Sequence, residues 1–190
     1  MRKVIVQEFV TIDNFAAQQD KGLGFMPQTA PNDQENTAEK NQLRFIETLD
    51  TMIMGRNTYE MFRQYWPSAT EIIAPKLNAL KKIVFSSTLD EAPWGDFEPA
   101  TLSFVDAREE IARLKELPGK DIVIWGSLTL VRSLYGSGVI DEYSLIICPA
   151  ILEKGIRLFT EGSAMNDLEL IETKTFTRGF IQLRYGITRS

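Results

Sequence analysis

The chain predicts an α/β fold: a three-layer α/β/α sandwich with a mixed, centrally parallel sheet and a C-terminal antiparallel hairpin. Three observations lead there. Short apolar runs alternate with segments whose apolar residues recur at helical spacing, the pattern of parallel strands covered by helices on both faces. Two of these runs pass through a glycine straight into a helix, at Met54-Gly55-Arg56 and at Trp125-Gly126-Ser127. The tail instead alternates on either side of Thr177-Arg178-Gly179, which reads as a hairpin. With 190 residues, 44% of them apolar, one domain spanning 1–190 is expected.

The elements follow in order. Val4 to Ile12 is strand-like and ends at the turn Asp13-Asn14. Phe15 to Asn36 is polar and irregular, with Gly22, Gly24, Pro27 and Pro31, a stretch long enough to suggest a functional loop. Its Gly22-Leu23-Gly24 is no dinucleotide fingerprint, because no strand leads into it and Pro27 stands where a third glycine belongs. Thr37 to Leu49 carries Phe45, Ile46 and Leu49 on one helical face, with Thr37 or Asn36 as its cap. Thr51 to Gly55 is a short buried strand. Arg56 then leads a helix with Tyr59, Phe62 and Trp66 on one side, which Pro67 ends. Lys81 to Ser87 and Thr101 to Val105 are further strands. Asp106 with Glu109 opens a helix in the manner of a capping box, with Ala107, Ile111 and Leu114 inward and Pro118-Gly119 as its stop. Ile122 to Trp125 is a buried strand, followed by a helix through Leu130, Val131, Leu134 and Tyr135 that ends at Gly136 and Gly138. Ile140 to Ile151 is an apolar strand interrupted by Pro149. Leu168, Leu170 and Thr173 lead into the last turn, and Phe180 to Ile187 returns.

Composition narrows the chemistry. A net charge of −5 disfavours nucleic acid and anionic membrane as partners. No run approaches the roughly 18 apolar residues of a membrane span, and Met1-Arg2-Lys3 enters a strand without a signal-peptide pattern, so the cytoplasm is the expected location. The chain has no histidine, which removes Ser–His–Asp and Cys–His catalysis and every histidine-containing metal site; no metal is expected. Its single cysteine, Cys148, lies in an apolar run and reads as a core residue. Carboxylates, hydroxyls, backbone groups or an organic cofactor must therefore carry any catalysis.

A strand that runs through a glycine into a helix leaves backbone N–H groups facing outward, a seat for phosphate or an ordinary connection. At the first such junction Arg56 stands at a helix N-terminus, where a cation is unfavourable unless an anion compensates for it. Taken in order, Met54-Gly55-Arg56-Asn57-Thr58-Tyr59, Ile83-Val84-Phe85-Ser86-Ser87 and Ile124-Trp125-Gly126-Ser127 resemble the dihydrofolate reductase-like superfamily. Asp141-Glu142-Tyr143, Cys148-Pro149-Ala150-Ile151-Leu152, Gly155 and Leu158-Phe159 resemble its riboflavin-biosynthesis reductase branch, the RibD C-terminal domain.

The resemblance implies a reductase that uses NADPH. Arg56 would meet the ribose 2′-phosphate, with Ser86 and Ser87 flanking the adenosine end. Gly55, Asn57 and Thr58 would lie at the pyrophosphate, together with Gly126, Ser127, Leu128 and Thr129. The reaction implied is hydride transfer to a pyrimidine- or pteridine-like substrate, with Glu39 or Asp13 as the assisting carboxylate. Each has a plainer reading: Glu39 as a first-turn acid favoured by the helix dipole, Asp13 as part of a turn with Asn14. Trp125 replaces a family glycine and could narrow the nicotinamide pocket or pack elsewhere. The resemblance also implies a homodimer. The alternatives are a non-catalytic dinucleotide-binding module that retains only the fold, and a structural domain whose junctions seat nothing.

Overall fold

A computed structural model describes residues 1–26, 37–160 and 167–188. Its strands are β1 (Val4–Thr11), β2 (Phe15–Ala17), β3 (Leu49–Gly55), β4 (Lys81–Phe85), β5 (Thr101–Ser103), β6 (Asp121–Trp125), β7 (Glu142–Cys148), β8 (Ile156–Arg157), β9 (Leu168–Thr175) and β10 (Ile181–Ile187). Its helices are α1 (Thr37–Glu47), α2 (Arg56–Tyr65), α3 (Ala74–Ala79), α4 (Ala107–Glu116) and α5 (Leu128–Ser133). The main sheet runs β5-β4-β3-β6-β1-β7-β10-β9. It is parallel from β5 through β7, and β10 is antiparallel to both β7 and β9. The mixed, centrally parallel sheet and its terminal hairpin are therefore as the sequence predicts.

Alternation along each strand feeds two cores, which makes three layers. Val4, Val6, Ile53, Ile83, Ile122 and Ile124 meet Ile111 and Leu114 of α4 and Leu130 and Val131 of α5. Ile5, Met52, Met54, Val84, Val123 and Trp125 meet Phe45 and Ile46 of α1, Tyr59 of α2 and Leu77 of α3. Cys148 is fully buried, as its apolar run implies, and burial pushes its thiol up to about 12. Asp106 caps α4 by accepting the N–H groups of Arg108 and Glu109.

Several boundaries move. Phe15–Ala17, expected to be irregular, pairs with β8 as a small second sheet; residues 27–36 of that stretch, with Pro27, Pro31 and the alternative cap Asn36, lie outside the described residues. Leu49 opens β3 instead of closing α1, because Thr48 folds back onto Phe45 through both its N–H and its hydroxyl. The Arg56 helix ends at Tyr65, and Trp66–Ser68 continues it as a 3₁₀ turn. Helix α3 went unforeseen, since its buried face is only Ala74, Leu77 and the polar Asn78. The strand before Pro149 starts at Glu142, β4 stops at Phe85 before the serines, and α5 ends at Ser133. Among the described residues no helix is long and apolar enough to cross a membrane.

Two polar clusters fasten the layers. Trp94 is fully buried and donates its ring N–H to Asn78 Oδ1 (2.7 Å), while Asn78 Nδ2 donates to the Trp66 carbonyl (2.8 Å). Asn78→Ala should leave that buried indole N–H without a partner and the Trp66 carbonyl with the Ala69 N–H alone, costing about 2 kcal/mol in urea unfolding. At the other end of the sheet, Glu142 receives Lys3 Nζ at 2.5 Å and Arg184 Nη2 at 2.6 Å. Burial would raise the Glu142 carboxyl, but these two cations hold it below the usual carboxylate range.

Candidate functional site

The chain leaves β3 for α2 on one face of the sheet and leaves the adjacent β6 for α5 on the other. Such a divergence opens a crevice at the carboxyl ends of the strands, where ligands of open α/β sheets bind. A cleft of about 1670 Å³ lies there, larger than the roughly 300–1,000 Å³ that holds one drug-sized molecule. It has room for an extended ligand and a second ring.

The two turns at its centre brace each other. Gly126 and Ser127 both have positive φ, +58° and +61°. This places the Ser127 hydroxyl between the strands, where its Oγ accepts the Gly55 N–H at 2.5 Å and donates to Thr58 Oγ1 at 2.9 Å. Ser127 is strained by that φ, a cost of roughly 1–2 kcal/mol that surrounding structure must sustain. A Cβ on Gly126 would stand 2.6 Å from Thr58 Oγ1, so only glycine lets the turns approach. No side chain caps α2, and its first turn carries no acid, so its leading N–H groups remain available. Gly55, Arg56, Asn57, Thr58 and Trp125 through Thr129 all line the cleft.

Arg56 reaches sideways from α2. Its Nε lies 2.8 Å from Glu60 Oε1 and its Nη1 donates to Thr88 Oγ1 at 2.7 Å. Ser86 Oγ stands 3.4 Å from the same hydroxyl and accepts the Thr88 N–H. The guanidinium and two hydroxyls thus form a polar corner after β4. Ser87 is exposed and adds no contact to this corner. Thr88 was missed by sequence reasoning, although it directly follows the two serines.

On the α1–α2 side, Trp125 packs against Phe62, with ring centroids 6.2 Å apart, and donates its ring N–H to Gln7 Oε1 at 2.7 Å. Gln7 bonds Gln42 of α1 (2.6 Å), and Asn41 donates to Gln182 of β10 (2.9 Å), which in turn donates to Ser144 Oγ (2.8 Å). Gln7, Asn41, Gln42 and Trp125 therefore present neutral amides and an aromatic ring to this half of the cleft. Glu39 lines it too, and accepts the Ile72 N–H at 3.2 Å. Asp13 is not among the lining residues. Its carboxylate accepts the N–H groups of Leu152 and Glu153 and the Thr11 hydroxyl, and the Thr11 bond, followed by these backbone donors, lowers its pKa.

On the α5 side, the next residue of β1 points the other way. Glu8 is 6% exposed, lines the cleft, and has the Gly126 N–H directed at its carboxyl. Its Oε1 has no hydrogen-bond partner. Burial pushes this carboxyl up to about 8, the Gly126 N–H opposing only in part, so at neutral pH it is mostly protonated. Gln7 and Glu8 had left a trace in the sequence: adjacent polar residues inside the apolar run Val4 to Val10.

The RibD C-terminal domain family matches residues 2–182. The chain is 31% identical over 146 residues to YyaP, an uncharacterised protein of Bacillus subtilis (strain 168), covering 74% of this chain and 76% of that one. Among solved structures it resembles a protein from Shewanella sp. PV-4 provisionally assigned to riboflavin biosynthesis, with a TM-score of 0.74, 21% identity and coverage of 98% and 99%. It likewise resembles dihydrofolate reductase from Enterococcus faecalis complexed with NADP(H), with a TM-score of 0.64, 14% identity and coverage of 98% and 97%. With a dihydrofolate reductase-like fold and a family match over nearly its whole length, the chain belongs to the RibD C-terminal domain family.

Proposed function

We propose that the protein is an NADPH-dependent oxidoreductase of the cytoplasm acting on a small pyrimidine- or pteridine-like substrate. Its reaction would be that of a 5-amino-6-(5-phosphoribosylamino)uracil reductase or of a dihydrofolate reductase. The observation that carries this reading is the braced pair of glycine turns with Arg56 beside it. The residues fit the cofactor: a side chain at position 126 would collide with Thr58, and the first turn of α2 offers uncapped N–H groups. Arg56, Thr88 and Ser86 suit a 2′-phosphate, which a guanidinium binds through paired hydrogen bonds. Family membership and the likeness to a reductase solved with NADP(H) support the same cofactor.

When bound, the dinucleotide supplies the hydride. The chain's part is to seat it, to hold the second ring against it and to exclude water. The amides of Gln7, Asn41 and Gln42 suit the C(=O)–N–H edge of a uracil or pteridinone ring. Glu39, three residues before Gln42 on the same helix, is the proposed carboxylate for substrate protonation. Asp13, outside the cleft lining, holds the loop after β7 through the Leu152 and Glu153 N–H groups. A homodimer belongs to the same proposal. Leu168, Leu170 and Ile171 on edge strand β9 are 43%, 53% and 48% exposed, and sedimentation would show whether they pair two copies.

The test is a titration followed by tryptophan fluorescence, since Trp66 and Trp125 line the cleft. NADPH should bind more tightly than NADH. Arg56→Ala should weaken NADPH by roughly 10- to 100-fold and leave NADH almost unchanged, as expected for losing a charge-assisted pair. Failure of the wild-type protein to bind either dinucleotide would sink the reading.

A further inference from the structure

The strand order gives a bound dinucleotide a direction, an inference that rests on the NADPH assignment. The polar corner of Arg56, Ser86 and Thr88 lies at β4 and β3, and the phosphate turns lie at β3 and β6. In the sheet the next strand is β1. A dinucleotide with its adenosine end at β4 therefore brings its nicotinamide end to the carboxyl end of β1, on the far side of Gly126. The buried, half-unsatisfied carboxyl of Glu8 waits there. An orphaned buried oxygen is costly, and a ligand that completes its hydrogen bonding removes that cost.

We propose that Glu8 is the nicotinamide-binding residue of this protein, and that its ionisation state selects the redox form of the cofactor. As a neutral acid, its carboxyl both donates and accepts, matching the carboxamide of the ring in either redox form. As a carboxylate, it would sit beside an uncharged dihydronicotinamide without an ion partner, whereas the pyridinium of the oxidised form would neutralise it. The protonated state thus tolerates the reduced cofactor, and the ionised state favours the oxidised one.

The charged and titratable groups around Glu8 leave this role to it. Arg132 and Tyr135 come from α5, Tyr143 from β7 and Arg157 from β8, with Asp20 and Lys21 on the cleft rim after β2. Arg132 donates to the Arg157 carbonyl, and Tyr135 to the Leu158 carbonyl. The phenols of Tyr135 and Tyr143 are raised mainly by burial, Tyr143 to about 12, so neither changes charge where Glu8 does.

The experiment measures NADPH and NADP⁺ affinities of the wild-type chain and of Glu8→Gln by fluorescence at about pH 7 and about pH 9. Both values lie above the second ionisation of a phosphate monoester, near about 6. In the wild type, the ratio of NADP⁺ to NADPH affinity should rise at least about tenfold between the two pH values. In Glu8→Gln, which keeps the shape but cannot ionise, the ratio should stay flat while both forms still bind. A flat ratio in the wild type overturns the proposal, as does a Glu8→Gln protein that tracks it. Binding of neither form by the wild type overturns the cofactor assignment itself, and this role of Glu8 with it.

Discussion

Gly126→Ala is expected to abolish useful cofactor binding, weakening NADPH by on the order of 100-fold, and to destabilise the fold by a few kcal/mol. The new Cβ would lie 2.6 Å from Thr58 Oγ1 and 3.0 Å from Thr58 Cγ2. Thr58 is buried in the first turn of α2 and tied to Ser127, so it cannot turn away without breaking the brace between the two junctions. The positive φ at position 126 adds its own cost for any residue with a Cβ. Gly138 supplies the control. Its φ is +77° and nothing lies within 4 Å of an added Cβ, so Gly138→Ala should lose about 1–2 kcal/mol and leave binding intact. If both variants bind NADPH as the wild type does, the glycine turns do not seat it.

Glu142→Ala should cost about 3 kcal/mol in urea unfolding, the low end for breaking a buried ion pair. The low end applies because Lys3 is more than half exposed and can return to water, whereas Arg184 is only 26% exposed and is left with the longer ion pair to Glu172, at 3.7 Å. The carboxyl is depressed in the folded chain, so its contribution is present above the ordinary carboxylate pKa and lost as pH falls through the depressed one. The wild type should therefore approach the stability of Glu142→Ala in acid. An equal gap between the two proteins at about pH 7 and about pH 3 would show that the ion pairs are not its source.

The parts of the site marked by glycine were legible in the sequence. Gly55 and Gly126 punctuate strand–helix junctions, and Arg56 stands out as a cation at a helix start. Residues whose role comes from a distant partner were not. Asp13 serves backbone groups 139 and 140 positions away, at Leu152 and Glu153. The Asp141-Glu142-Tyr143 segment was readable as a signature, yet its acids tie down Val4 N–H, Lys3, Lys115 and Arg184 away from the cleft. Gly155 is required because its Cβ would fall 2.4 Å from the Ala17 carbonyl, which depends on β2 and β8 pairing. Glu8 showed in the sequence only as a polar break in an apolar strand, and nothing there says that the tertiary fold leaves its Oε1 without a partner.

The pleat of β1 assigns Gln7 to one chamber of the cleft and Glu8 to the other. An amide and an acid that are neighbours in the chain are thereby insulated from each other by the thickness of the sheet. Point substitutions can retune either chamber alone. A single-residue shift ahead of Gln7 would turn each to the opposite face, a deletion placing an acid among the amides of α1 and an insertion placing an amide beside Gly126. Libraries that vary this strand should therefore preserve its length while sampling positions 7 and 8 independently.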